Sequence, residues 1–179
     1  MAVAEHKPLT IGGRDILPGE RVTIDLPVAG LYTHEPVTMP VQVIRGKKPG
    51  PTLFVAAALH GDEINGVEIV RRLLKLPRMK SLRGTLIAVP IVNVFGFLNR
   101  ERYTPDRRDL NRSFPGSAKG SVAGRLAHLF VNEIVNQADC GIDLHTAAIH
   151  RDNLPQIRAD LKNAHVRGLA EAFGAPIMI

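Results

Sequence analysis

The chain has 179 residues, of which 45% are hydrophobic and 22% charged, with a formal net charge of +6 and a single cysteine, Cys140. These are near-average globular proportions at a length sufficient for one domain with a real core, which argues against disorder; one cysteine allows no disulfide framework within the chain and fits a reducing compartment. No run approaches the roughly 20 apolar residues that span a bilayer, residues 1–10 carry no signal-peptide pattern, and scattered basic residues with only 4% aromatics and no tryptophan leave a nucleic-acid stacking platform unsupported, so a soluble, cytoplasmic protein is expected.

Residues 1–50 are rich in proline, glycine and β-branched side chains. Arg21-Val22-Thr23-Ile24-Asp25-Leu26 alternates polar and apolar residues, as does part of Val37 to Ile44, and both read as strands. Lys47-Lys48-Pro49-Gly50-Pro51 reads as a turn. It leads into an apolar run, Leu53 to Leu59, which reads as a buried strand stopping at His60. A helix is expected from Ile64, with Ile64, Val67, Val70, Leu73 and Leu74 on one face and Pro77 ending it. Thr85 to Val89 is a second buried-type strand, with Pro90 marking its end or a bulge. Asn93 to Gly116 reads as one long loop crowded with arginine, glycine and proline, and loops of that length tend to be functional or disordered.

Val122, Leu126, Leu129, Phe130 and Ile134 recur at helical spacing, so Ser121 to Asn136 reads as a helix. Cys140 to Leu144 is a third short strand, ending at His145. Asn163 can cap a last helix through Phe173, with Gly174 at its C-terminal end. Residues 175–179 look like a strand just beginning, so a sequence cut from a longer protein is expected. Strands alternating with helices predict an α/β fold: three α/β/α layers around a mostly parallel central sheet. The division expected is a β-rich segment, 1–50, followed by the chemistry-bearing part, 51–179.

The chemistry concentrates at strand ends. His60-Gly61-Asp62-Glu63 sits where a buried strand passes through a tight turn into a helix, so a histidine and a carboxylate can share a pocket. His145 lies at the end of another strand. In open α/β sheets, ligands bind in the crevice beyond the carboxyl ends of the strands. Two histidines and a glutamate there make a His₂Glu set for zinc, with a fourth position open for water. Taken singly, either histidine is more often a hydrogen-bonded structural residue. The case rests on three donors from two strand ends.

The arginine-rich loop adds a second feature. Arginine presents a planar fork that binds carboxylates bidentately, so Asn111 with Arg112 can clamp a carboxylate, and another arginine can stabilise a negative carbonyl oxygen. Asp109 can accept the second ring proton of His60. Against this, several of these arginines can simply face solvent, paired with Glu101, Asp106 or Asp109.

His60-Gly61-Asp62-Glu63, Arg108-Asp109-Leu110-Asn111-Arg112-Ser113-Phe114 and Asp143-Leu144-His145-Thr146, in that order, resemble the succinylglutamate desuccinylase/aspartoacylase family, which is related to the zinc carboxypeptidases. The likeness runs from about Gly50 to the end of the chain. It implies a zinc-carboxypeptidase-like mixed sheet, truncated here, and residues 51–179 as the N-terminal part of a zinc-hydrolase catalytic domain. It implies one Zn²⁺ held by His60, Glu63 and His145, and Asn111 with Arg112 as the substrate-carboxylate clamp. It also implies a carbonyl-polarising arginine, for which Arg102 is the first choice and Arg108 the rival. The family's general-base glutamate falls in a later segment and is expected outside this chain, since Glu133 and Glu171 read as helix-surface residues.

The implied activity is hydrolysis of an amide bond in an acidic N-acyl amino acid, a small anionic substrate, with no nucleic acid or membrane partner. The alternatives are a zinc carboxypeptidase acting on peptides and a basic binding module without chemistry. A truncated parallel sheet leaves a bare edge, which allows a homo-oligomer.

Overall fold

Alternating side chains shape the first strands of the central sheet, and continuous burial shapes the middle ones. The computed structural model describes residues 6–30 and 33–179. It forms two compact units, Met1–His145 and Thr146–Ile179. The reading of residues 1–10 as lacking a signal pattern falls partly on residues 1–5, outside the described residues. Among the described residues no helix is long and apolar enough to cross a membrane.

In the first unit, β1 (Thr10–Ile11) and β2 (Arg14–Asp15) form a small antiparallel pair. The long strands β3 (Arg21–Gly30), β4 (Pro36–Arg45) and β5 (Lys48–Ala57) follow. Then come α1 (Asn65–Leu73), β6 (Arg83–Val89), α2 (Val94–Asn99), α3 (Val122–Glu133) and β7 (Cys140–Leu144). The sheet order is β3-β4-β6-β5-β7. β3, β4 and β6 pair antiparallel, whereas β5 is parallel to both β6 and β7. The sheet is therefore mixed, as expected.

β5 is apolar throughout its second half because both of its faces are covered. Phe54 and Ala56 face one core with Ile87, Val89 and the α3 residues Leu126 and Phe130. Val55 and Ala57 face the other, with Leu86, Ala88, the α1 residue Val70 and Leu74, which caps the end of α1. Each such aliphatic side chain taken fully from water contributes about 1.5–3 kcal/mol. Helices on opposite faces give the three layers.

This topology positions the site. From β5 the chain crosses over through α1 to β6 on one side, then returns through α3 to β7 on the other. β5 is the point where the winding reverses, and such a reversal opens a crevice at the strands' carboxyl ends. Ala57 pairs with Leu144, so the chain leaves the sheet at neighbouring points just before His60 and His145.

Several local expectations are corrected. Residues 47–51 are not simply a turn, because β5 already starts at Lys48. Its pairing with β6 is irregular between Lys48 and Thr52, where Pro49 and Pro51 have no N–H to donate. β5 stops at Ala57 rather than Leu59; Ala58 takes a left-handed φ of 49°, which turns the chain out of the sheet. Ile64 is half-exposed and caps α1 instead of packing on its apolar face. Residues 93–116 are not one loop: α2 lies within them, its first turn capped by Asn93 Oδ1 accepting from the Gly96 amide at 2.9 Å. Glu133 is not a free surface residue either, since its carboxylate accepts from the Gly12 amide at 2.6 Å.

The second unit holds β8 (Gln156–Ile157), α4 (Ala164–Phe173) and β9 (Ile177–Met178). Asn163 Oδ1 accepts from the His165 and Val166 amides, and Gly174 ends the helix in a left-handed conformation, both as the sequence suggests. β9 is the strand at the end of the chain, and it pairs in parallel with β8 in a sheet of its own.

Candidate metal centre

The turn after β5 carries two of the expected ligands into a dry place. The Glu63 amide donates to the His60 carbonyl at 3.1 Å, closing a turn that brings both side chains together. His60 is 2% exposed and Glu63 3%. A buried carboxylate needs partners on every side, and Glu63 has them. His60 Nδ1 lies 2.8 Å from Oε1, His145 Nδ1 lies 2.9 Å from Oε2, and Arg102 Nη1 lies 3.4 Å from Oε1. The two imidazole rings are 5.1 Å apart, tilted by 59°.

One ligand atom from each of His60, Glu63 and His145 lies within 4.8 Å of the others. Ligand atoms around a tetrahedral zinc stand about 3.3 Å apart, from bond lengths near 2.0–2.1 Å. The trio fits such an ion in donor type and, with a small adjustment, in spacing.

Asp109 ties this trio to the arginine loop. Leu110 is fully buried in the core and anchors the loop, which fixes its neighbour Asp109. Asp109 Oδ1 lies 3.1 Å from His60 Nε2 and accepts from the Asn111 amide at 2.9 Å. Its Oδ2 accepts from Arg102 Nη2 at 2.9 Å and from Nε at 3.2 Å. Burial alone would raise the Asp109 carboxyl, but hydrogen bonding with Arg102, His60 and the Asn111 amide outweighs it and holds it below the usual carboxylate range. One carboxylate thus orients both a candidate ligand and a candidate carbonyl-polarising arginine.

The rival arginine sits elsewhere. Arg108 is largely exposed, with its Nε 3.9 Å from Asp106. Asn111 and Arg112 are exposed on a 3-10 turn, Leu110–Arg112, directly after Asp109. Two polar residues escaped sequence reasoning. Asn93 is fully buried and its Nδ2 donates to the Arg102 carbonyl at 3.4 Å; the Asn-x-x-Gly spacing at a strand exit was the available sign of a cap. Asp143 lies 2.7 Å from His145 Nε2, and its place two residues before His145 on a strand was the sign there.

His145 stands between two acids. Its pKa is raised to about 10, first by Asp143 and then by Glu63, against an opposing effect of burial. The folded-state value lies above the ordinary one near 6.5, so in metal-free protein this charge stabilises the fold fully below about pH 6.5. That contribution is lost as the pH rises through about 10. The melting temperature of metal-free chain is expected to fall between those limits, and His145→Ala should flatten the fall. A pH-independent melting temperature over that window would contradict the arrangement.

The family model described as the succinylglutamate desuccinylase/aspartoacylase catalytic domain matches residues 49–179. The chain belongs to the succinylglutamate desuccinylase/aspartoacylase family. Every residue named at the site falls within the matched stretch. The desuccinylase/aspartoacylase likeness extends to an N-alpha-acetyl-L-2,4-diaminobutyric acid deacetylase of Halomonas elongata, 33% identical over 150 residues, covering 80% of this chain and 43% of that protein. A succinylglutamate desuccinylase of Pseudomonas aeruginosa is 27% identical over 161 residues, covering 82% and 46%. A succinylglutamate desuccinylase/aspartoacylase crystal structure from Rhodobacter sphaeroides superposes with a TM-score of 0.79 at 30% identity, over 89% of this chain and 50% of that one. The chain spans less than half the length of these two curated family members.

Proposed function

We propose that residues 51–179 form the N-terminal part of the catalytic domain of a zinc-dependent hydrolase that cleaves the amide bond of an N-acyl amino acid. The observation that carries this reading is the convergence of His60, Glu63 and His145, each ring also meeting a carboxylate at its far nitrogen. A zinc ion held there supplies Lewis acidity and an activated water. The chain's residues do the rest. Arg102, held by Asp109 beside Glu63, offers its remaining donors to a carbonyl oxygen that gains negative charge. Asn111 and Arg112 hold the free carboxylate of the substrate and set which bond reaches the metal. We assign no general base within these 179 residues.

The relatives' names point to two acyl groups, acetyl and succinyl. Both named substrates carry an α-carboxylate, so the clamp serves either, and the acidic class is our first choice. A cytoplasmic location follows from the reading of such small metabolites together with the single cysteine.

The test is calorimetric titration of the zinc-loaded chain with succinylglutamate and with Nα-acetyl-2,4-diaminobutyrate, alongside an assay for amine release. Binding should require zinc, and Arg112→Ala should weaken it about 10- to 100-fold, the worth of a bidentate charged hydrogen bond. Release should be slow without a general base, and Arg102→Ala should slow it a further 10²–10³-fold or so at unchanged zinc content. Equal binding by metal-stripped protein would sink the proposal. Preference for a peptide would favour a carboxypeptidase, and steeply salt-dependent binding of nucleic acid would favour a binding module.

A further inference from the structure

The two candidate ligand rings are presented in the same way. His60 turns Nδ1 toward Glu63 and Nε2 toward Asp109; His145 turns Nδ1 toward Glu63 and Nε2 toward Asp143. Asp109 is placed by a loop anchored on Leu110. Asp143 is placed by the sheet itself. Residues two apart on a strand project to one face, and Ile142 and Leu144, on the other face, pack into the core beneath α1. That leaves Asp143 and His145 on the same side, with Asp143 Oδ2 2.7 Å from the ring nitrogen remote from Glu63. Side chains of Asp143 and His145 are each about one-third exposed, 33% and 32%. His145 is thus far less confined by packing than His60, whose side chain is 3% exposed.

We propose that Asp143 is a positioning residue for the metal centre, holding the exposed His145 ring so that Nδ1 faces the ion while Nε2–H is bound to the carboxylate. This rests on the metal reading given under the proposed function. The physical argument is one of entropy and tautomer. A ring free at one edge of a site rotates about two side-chain bonds and exchanges its proton between two nitrogens. An acceptor at the far nitrogen removes both freedoms and makes the near nitrogen the better donor to a cation. His60 obtains part of the same restraint from burial, so the loss of Asp143 falls mainly on His145.

The experiment measures zinc affinity of the 179-residue chain by competition with a chromophoric chelator. Asp143→Ala should bind zinc about 10- to 100-fold more weakly than wild type. Asp143→Asn should fall between, because its amide oxygen still accepts from Nε2–H but carries no charge. Asp25→Ala, an exposed acid on β3, should match wild type. Nitrogen-15 spectra of the histidine rings in zinc-loaded protein supply a readout that a merely structural role would not move: wild type should show His145 as the Nε2–H tautomer with Nδ1 on the metal, and Asp143→Ala a mixture. If Asp143→Ala does not fold, Asp143→Asn carries the test. Affinity of folded Asp143→Ala within about threefold of wild type with an unchanged ring tautomer, or affinity of Asp143→Asn indistinguishable from wild type, overturns the proposal alone. Failure of wild type to bind zinc overturns the metal reading and this inference with it.

Discussion

Replacing His60 by alanine is expected to leave the chain without stoichiometric zinc. Elemental analysis of untagged wild type should give about one ion per chain and the variant less than about 0.1. The size of the effect follows from the number of donors. A three-residue site reduced to Glu63 and His145 offers two protein ligands, too few for the closed side of a zinc coordination sphere. The loss should exceed the 10- to 100-fold that removing an outer partner costs. The variant also removes the ring between Glu63 and Asp109, so both carboxylates lose a partner on one side. Glu63 keeps His145 and Arg102, and Asp109 keeps Arg102 and the Asn111 amide. The fold should therefore survive, and circular dichroism should register only a modest loss of thermal stability. Full zinc occupancy in His60→Ala would show that the ligand assignment is wrong.

Gly61→Ala is expected to do more damage to the fold than any other single methyl group at the site. A β-carbon on Gly61 would lie 1.8 Å from the Gly96 carbonyl carbon, 2.2 Å from its oxygen and 2.2 Å from the Phe97 amide nitrogen. All three are backbone atoms of α2, so no side-chain rotation relieves the overlap. Either the His60–Glu63 turn or the first turn of α2 must shift, and the second of these is tied to Asn93 and through it to the Arg102 carbonyl. A forced backbone displacement belongs with the larger single-residue effects, here about 3 kcal/mol or more. For a chain of this size that is a drop in melting temperature of roughly 10 °C, with a parallel loss of zinc affinity. Gly168→Ala is the contrast, because nothing stands within 4 Å of a β-carbon there, inside α4. That change should be neutral or stabilising by about 0.5–1 kcal/mol. Equal melting temperatures for Gly61→Ala and wild type would show that the turn does not pack against α2 as described.

What the sequence revealed and what it hid follow from the range of the interactions involved. β5 and β6 were legible because burial on both faces leaves an unbroken apolar run, α3 because its apolar residues recur at helical spacing, and α4 because its cap, Asn163, is local to the chain. His60 and Glu63 could be paired because three residues separate them. His145 joined them through strand-end logic and motif order, but its distance from His60 depends on β5 and β7 being neighbours, a tertiary fact. The start of β5 was hidden by two prolines that read as turn residues, yet a strand tolerates them where its ladder is interrupted. α2 was hidden because six residues are too few to show helical periodicity. Asp109 could be read as an acceptor for His60, but not that Arg102 is the arginine it holds at the same time, since Arg102 and His60 reach it from separate segments. Asp143 was passed over because an acid on a short strand looks like an ordinary exposed residue until the ring beside it is placed.

Zinc K-edge X-ray absorption on the zinc-loaded chain tests the convergence of the three side chains most directly. The account predicts a light-atom shell near 2.0–2.1 Å, with the outer-shell scattering of two imidazole rings and one carboxylate. A sulfur from Cys140 at about 2.3 Å, or a zinc shell without two histidines, would contradict it.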